Sequence, residues 1–191
     1  MTRSRSAAHF QRLYDASPDP WGFAGNAYEQ AKYRQTLEAL DGRRFASGLE
    51  IGCSIGVLTR MLAPRCEALL GIDLVEQPLA AARARCADQP WVRFRRMRVP
   101  GAWPVGRFDL IVLSEVLYFL APADIDRTAG LVCGSLVPGV CVILVNWLGQ
   151  SDDPCTGDEA ADRFIAATAG PLRVARQVRE PGYRLDLLQA D

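Results

Sequence analysis

The sequence predicts an α/β fold built on a mostly parallel, doubly wound sheet. From residue 48 onward, apolar runs with the length of strands alternate with helical patterns, which is typical of a parallel sheet with helices on both faces. The run at 108–114, F-D-L-I-V-L-S, is apolar almost throughout, as expected of a central strand covered on both sides. Pro181 and Gly182 separate the last two apolar runs, which predicts that the sheet ends in an antiparallel hairpin.

Each element follows from a local signal. Asn26 is a helix-capping residue type and precedes a predicted helix over 27–40. This helix belongs to an N-terminal segment, 1–46, that we interpret as a helical lid on a Rossmann-like core, 47–191. The core has seven predicted strands, at 48–52, 68–73, 92–97, 108–114, 140–147, 172–178 and 183–188. Its predicted helices lie at 55–63, 75–86, 124–136 and 158–169. All 191 residues are expected to form a single domain.

Composition argues against several classes of protein. The 22 Lys and Arg residues balance the 22 Asp and Glu residues, so the chain has no overall charge to attract nucleic acid or an anionic membrane. The six cysteines include no C-x-x-C pair, and the only histidine, His9, lies in a segment expected to be frayed, which disfavours a metal centre or a Ser-His-Asp hydrolase. The longest apolar run, 137–148, is too short to span a bilayer. We expect a cytoplasmic protein with no metal and no nucleic-acid or membrane partner.

The run L-E-I-G-C-S-I-G-V-L-T at 49–59 reads as a buried strand that breaks into a glycine-bearing turn and then a helix. Gly52 and Gly56 stand where the backbone must turn sharply and approach a ligand. Glu50 places a carboxylate at the end of the strand. About twenty residues later, Asp73 ends the next predicted strand, where an acid can hold the two hydroxyls of a ribose.

The composition of this turn separates two classes of cofactor. A dinucleotide site usually has G-x-G-x-x-G, because a pyrophosphate must lie on bare backbone. Here Ser54 replaces the middle glycine and no third glycine follows in register. The pattern therefore favours S-adenosylmethionine (SAM), which has no phosphate, over a nicotinamide cofactor. The predicted contacts are Gly52, Cys53, Ser54 and Gly56 at the methionine moiety, Asp73 at the ribose, Leu74 at the adenine, and the Ser114 carbonyl at the sulfonium.

Four runs together resemble one family, the nodulation protein S (NodS) group of SAM-dependent N-methyltransferases. They are D-P-W at 19–21, Y-E-x-x-K-Y at 28–33, the turn at 49–59, and F-D-L-I-V-L-S-E-V-L-Y-F-L at 108–120. The resemblance implies a class I methyltransferase fold and methyl transfer to the free amine of a glucosamine unit in an oligosaccharide. One departure concerns adenine: many class I enzymes place an acid after the third strand, whereas this chain has Met97 and Arg98, whose backbone atoms would then take over.

Several residues are candidates for the acceptor side and for closing the site. Glu115 follows the fourth predicted strand, where open α/β sheets bind ligands, and is our candidate catalytic carboxylate. Its alternative role is to hydrogen-bond the lid. Tyr118 and Trp147 follow strand ends, so that they either stack on a sugar ring or are ordinary core residues. Trp21 and Tyr28 either close the cofactor site or attach the N-terminal segment to the core.

Three rival functions remain open at this point. A SAM-dependent O-methyltransferase of a small molecule would need a stronger base, since an alcohol is far less acidic than an ammonium. A nicotinamide-dependent reductase is disfavoured by Ser54. A non-catalytic SAM-binding protein is disfavoured by the set of Glu50, Asp73 and Glu115. The identity of the small-molecule or oligosaccharide amine and the choice between monomer and dimer are open as well.

Overall fold

The computed structural model describes residues 2–190. The helices are α1 (Ala7–Ala16), α2 (Ala27–Ala39), α3 (Val57–Leu62), α4 (Glu76–Arg85), α5 (Pro122–Gly134) and α6 (Gly157–Ala167). The strands are β1 (Phe45–Ile51), β2 (Cys66–Asp73), β3 (Val92–Arg96), β4 (Phe108–Ser114), β5 (Leu136–Trp147), β6 (Arg173–Arg179) and β7 (Tyr183–Gln189). The chain divides into two compact units, and the prediction of a single domain stays a prediction. We call residues 6–97 the N-terminal unit, and residues 2–5 with 98–190 the C-terminal unit.

The N-terminal unit is a parallel three-stranded arrangement with the order β3-β2-β1. Leu49 of β1 lies beside Leu70 of β2, which in turn lies beside Arg93 of β3. Asn26 caps α2 as predicted, because its side-chain oxygen accepts a hydrogen bond from the backbone N–H of Tyr28 at 2.9 Å. The register brings the carboxyl ends of β1 and β2 to one edge, where the glycine turn begins.

The C-terminal unit combines a parallel pair with an antiparallel hairpin, in the order β4-β5-β7-β6. β4 and β5 are parallel, with Ser114 beside Val145, whereas β7 is antiparallel to both β5 and β6. The predicted hairpin at Pro181 and Gly182 is therefore confirmed. Central residues of β4 and β5 are completely buried, as the apolar run at 108–114 predicted.

Two local predictions were wrong. His9 lies within helix α1 and not in a frayed segment, because Ser6 caps that helix by accepting the N–H of His9. The helix predicted to run to Leu136 ends at Gly134, and β5 begins at Leu136. The strand passes through Pro138 because its pairing with β4 shifts register there, and such a bulge accommodates a residue that has no N–H to donate.

Within residues 2–190, no helix combines the length and apolarity that crossing a bilayer requires. Over the same range, no group of three or more His, Cys, Asp or Glu side chains is placed to hold a metal ion.

Candidate active site

The glycine turn of the N-terminal unit has the backbone that its sequence predicted. Gly52, Ser54 and Gly56 all adopt positive φ, at 81°, 48° and 76°. At Gly56 the reason for glycine is packing as well as conformation, because a Cβ there would lie 2.8 Å from the Cβ of Ala82 on α4. Gly56 thus lets α3 and α4 approach each other behind the turn, and the ligand contact that we predicted for it stays a prediction.

Asp73, the predicted ribose ligand, is held by the backbone on both of its oxygens. Its Oδ2 accepts the N–H of Ser54 and its Oδ1 accepts the N–H of Val75, each at 3.0 Å. Burial raises the pKa of this carboxyl, and the backbone hydrogen bonds from Val75 and Ser54 act in the opposite direction. Leu74 is partly exposed between these contacts. The carboxylate is therefore oriented before any ligand arrives, and its remaining lone pairs can accept a hydroxyl.

Glu50 and Cys53 lie buried at the end of β1. Glu50 is 2% exposed, and among the described residues its Oε2 has no hydrogen-bond partner. Burial raises the pKa of Glu50 from 4.5 to about 7, and the negative charge of Asp73 adds to the rise. Burial also raises the pKa of the Cys53 thiol, which therefore stays protonated and is no nucleophile. The turn is thus flanked by two carboxyl groups, and the hydrogen bonds that Asp73 accepts come from backbone N–H groups.

The backbone after β3 is partly committed to the fold. The N–H of Met97 donates to the carbonyl of Asp73 at 2.8 Å, which leaves its carbonyl and side chain for an adenine. In the C-terminal unit, the carbonyl of Arg98 accepts the N–H of Ala102 at 2.8 Å. Adenine recognition by Met97 and Arg98 stays a prediction. It would use groups other than the Met97 N–H and the Arg98 carbonyl, which already make hydrogen bonds within the fold.

Aromatic residues of the N-terminal unit connect α1 to the glycine turn. The Tyr14 hydroxyl lies 2.6 Å from the Oγ of Ser54, and the Tyr14 ring packs edge-on against Trp21 with 5.6 Å between centroids. Trp21 also stacks on Phe23. We did not predict Tyr14. The available signal was the spacing of Phe10, Leu13 and Tyr14, which is that of one helix face.

Tyr28 and its helix contain a buried ion pair. Lys32 is 2% exposed and its Nζ lies 2.8 Å from Glu29. The same ammonium lies 5.2 Å from the ring centre of Tyr28, which is 38% exposed. The Lys32 ammonium, a cation of the protein itself, therefore makes a cation–π contact with the Tyr28 ring.

The C-terminal unit brings three predicted residues together. Ser114 is buried at the end of β4. Glu115 follows it directly and has a φ of 58°. Its Oε2 accepts the Tyr118 hydroxyl at 2.8 Å and the backbone N–H of Trp147 at 2.9 Å. Tyr118 is buried, whereas Trp147 is 37% exposed and lies against Gly149. Trp147 thus keeps part of its surface exposed, and the Tyr118 hydroxyl orients the carboxylate.

A segment that we did not predict borders this cluster. Arg5 donates to Asp152 and to Asp153, both at 2.7 Å, and its backbone N–H donates to the carbonyl of Phe119. Ser4 donates to Asp124 and accepts the N–H of Ala121. The residues that precede α1 therefore hold two loops of the C-terminal unit, at 117–121 and 151–155.

Comparison with known proteins identifies the family. The family model described as Nodulation protein S (NodS) matches residues 7–133. The chain belongs to the NodS family. This match confirms the family that the four sequence runs predicted. One solved member of the family is described as an N-methyltransferase.

Individual relatives agree with this assignment. Nodulation protein S of Sinorhizobium fredii is 36% identical over 115 residues, which cover 60% of this chain and 53% of that protein. Nodulation protein S of Bradyrhizobium diazoefficiens is 38% identical over 107 residues, covering 55% and 51%. The chain thus spans about half the length of the curated NodS relatives it matches.

A solved structure of the family matches over nearly the whole chain. It is N-methyltransferase NodS from Bradyrhizobium japonicum WM9 in complex with S-adenosyl-L-homocysteine, with a TM-score of 0.84 and 23% identity, covering 96% of this chain and 97% of that one. This likeness confirms the predicted fold, a class I methyltransferase with a mixed seven-stranded sheet.

Proposed function

We propose that this protein is a SAM-dependent methyltransferase that methylates the amine of an amino sugar or of a glucosamine-containing oligosaccharide. The observation that carries the proposal is Asp73, whose two carboxylate oxygens are oriented by the N–H groups of Ser54 and Val75 beside a turn of positive-φ residues. Membership of the NodS family supports it, as does the solved NodS structure, which is described as an N-methyltransferase bound to S-adenosyl-L-homocysteine (SAH).

The residues of the turn suit this cofactor better than a dinucleotide. The side chain of Ser54 occupies the position where a dinucleotide site needs bare backbone for its pyrophosphate. We propose that the cofactor is held by Trp21, Tyr28, Glu50, Gly52, Cys53, Ser54, Gly56, Asp73, Leu74, Met97, Arg98 and Ser114. When bound, SAM supplies a methyl group on a sulfonium, which is already a good leaving group, so no metal is needed.

The work of the chain is then to align the acceptor and remove water from it. An amine attacks through its lone pair and must lose a proton in the course of the reaction. We propose that Glu115 orients this amine and accepts its proton, because Tyr118 and the Trp147 backbone hold one of its oxygens in place. The partly exposed Trp147 then provides the surface on which a sugar ring can stack.

The cofactor assignment is tested by calorimetric titration of the purified protein with SAH and, separately, with NADH. We expect SAH to bind, NADH not to bind, and Asp73→Ala to weaken SAH binding at least about 100-fold, since it removes two hydrogen bonds to ribose. The matched control is Asp88→Ala, an exposed acid of the same unit that pairs with Arg60. Binding of NADH, or of neither ligand, would contradict the proposal.

The acceptor is tested by methyl transfer to glucosamine and its oligomers, with N-acetylglucosamine and a phenol as amide and hydroxyl comparisons. We expect only the free amines to react, and Glu115→Gln to lower kcat about 100-fold while leaving SAH affinity unchanged. An amine acceptor also predicts that kcat/KM rises with pH as the ammonium loses its proton. Preferred methylation of the phenol would replace this proposal by O-methyl transfer.

A further inference from the structure

Tyr14 is fixed at three points of the N-terminal unit. Its hydroxyl meets the Oγ of Ser54 at 2.6 Å, and its backbone carbonyl accepts the side-chain amide of Gln77 at 2.8 Å. The edge of its ring packs on Trp21, and the residue is only 3% exposed. A buried tyrosine hydroxyl requires a partner, and here that partner is a side chain of the cofactor turn.

Ser54 is an unusual residue at this position. It is not glycine, yet its φ of 48° lies in the left-handed region, which costs conformational free energy. Its backbone N–H is already used by Asp73. Its side chain therefore has a defined position at the turn, and the remaining question is where the hydrogen of its hydroxyl points.

The chemistry of the two hydroxyls answers that question. A phenol is much more acidic than an alcohol and is the better hydrogen-bond donor, while the alcohol oxygen is the better acceptor. Burial, and next the charge of Asp73, raise the pKa of Tyr14, so its hydroxyl keeps its proton. With Tyr14 as donor, the Ser54 oxygen has one lone pair occupied and its own hydrogen free for a third group.

We propose that Tyr14 is a positioning residue that turns the Ser54 hydroxyl toward the carboxylate of the cofactor's methionine moiety. This inference rests on the proposed function, since the methionine moiety is the anionic part of the ligand expected at this turn. The rival interpretation is that Tyr14 only attaches α1 to the unit. The two interpretations differ in which part of the ligand Tyr14 affects.

The test compares SAH with 5′-methylthioadenosine, which retains adenine, ribose and sulfur but lacks the amino-acid group. Both are titrated calorimetrically, directly or by displacement, into the wild-type protein, Tyr14→Phe, Ser54→Ala and the double variant. We expect each single variant to weaken SAH about tenfold and to change 5′-methylthioadenosine by less than about twofold. The double variant should be no weaker than Ser54→Ala, because Tyr14 acts through Ser54.

The control is Tyr183→Phe, which removes a buried phenol hydroxyl from the C-terminal unit and should leave both affinities unchanged. Urea unfolding of every variant shows whether it folds. If Tyr14→Phe does not fold, Ser54→Ala still tests whether the Ser54 hydroxyl binds the amino-acid part of SAH. Equal weakening of the two ligands, or an unchanged SAH affinity, overturns the role of Tyr14 while the proposed function stands. A wild-type protein that binds neither ligand overturns both.

Discussion

The acids at the glycine turn of the N-terminal unit and the acids paired with arginine in the C-terminal unit are held in opposite ways. At the glycine turn, Glu50 is buried and Asp73 is partly buried. The oxygens of Asp73 accept backbone N–H groups, and the Oε2 of Glu50 has no hydrogen-bond partner among the described residues. In the C-terminal unit, Asp186 is completely buried but receives the guanidinium of Arg184 at 2.9 Å. The two terminal nitrogens of the Arg179 guanidinium each donate to Asp158 at 2.7 Å.

The difference shows where the chain reserves its polar groups for a ligand. A buried carboxylate without a cation is costly, and that cost is relieved when a ligand brings hydroxyl or ammonium groups to it. A buried carboxylate paired with arginine has its partner already, and removing it leaves the arginine as an uncompensated buried charge. On this reasoning, removing an acid of the glycine turn should affect cofactor binding, and removing a buried acid that is paired with arginine should affect stability.

The largest expected effect is on the stability of the C-terminal unit. Asp186→Ala leaves the guanidinium of Arg184, whose side chain is 8% exposed, without its buried partner, and should lower the free energy of unfolding by about 3–5 kcal/mol. Asp162→Ala removes another partner of Arg184, but one that is 68% exposed, and should cost less than about 1 kcal/mol. Urea unfolding measures both, and equal losses would show that burial is not what separates these pairs.

The next effect concerns the dependence of stability on pH. The pKa of Glu50 is raised from 4.5 to about 7 by burial, so between these values the folded protein binds more protons than the unfolded chain. Stability contributed by neutral Glu50 is therefore fully present below about pH 4.5 and is lost as the pH rises through about 7. Glu50→Gln should flatten this slope and stabilise the ligand-free protein by about 3 kcal/mol at pH 8.

This second prediction is checked by urea unfolding of both proteins at pH 5 and pH 8 without cofactor. Glu50→Gln should also bind SAH more weakly, because it removes the buried Glu50 carboxylate that we propose contacts the cofactor. Asp88→Ala serves as the comparison, since its exposed side chain lies outside the buried cluster. A pH slope that Glu50→Gln leaves unchanged would mean that Glu50 is not the group that titrates.

The glycine turn of the N-terminal unit could be predicted from the sequence more completely than the Glu115 cluster of the C-terminal unit. The turn at Gly52 and Gly56 and the acid at Asp73 follow from local rules, because a strand end, a positive φ and the next strand end are encoded within about 25 residues. Glu115, Tyr118 and Trp147 were each predicted, but their hydrogen bonds depend on β4 and β5 lying side by side. Tyr14 and Arg5 were missed, because each meets a partner at least 40 residues away that no local pattern reveals.

The smallest effect concerns Arg5, which belongs to the C-terminal unit although α1, directly after it, belongs to the other. Arg5→Ala removes ion pairs to Asp152, which is 94% exposed, and to Asp153, which is 10% exposed, and should cost about 1 kcal/mol of stability. The matched control Arg127→Ala breaks an exposed pair and should cost less. Amide hydrogen exchange at 151–155 should accelerate several-fold in Arg5→Ala alone, because that loop loses its anchor. SAH affinity should not change, since the lost ion pairs join residues that are not among those proposed to hold the cofactor. A weaker SAH affinity would show that acids paired with arginine also serve the cofactor site.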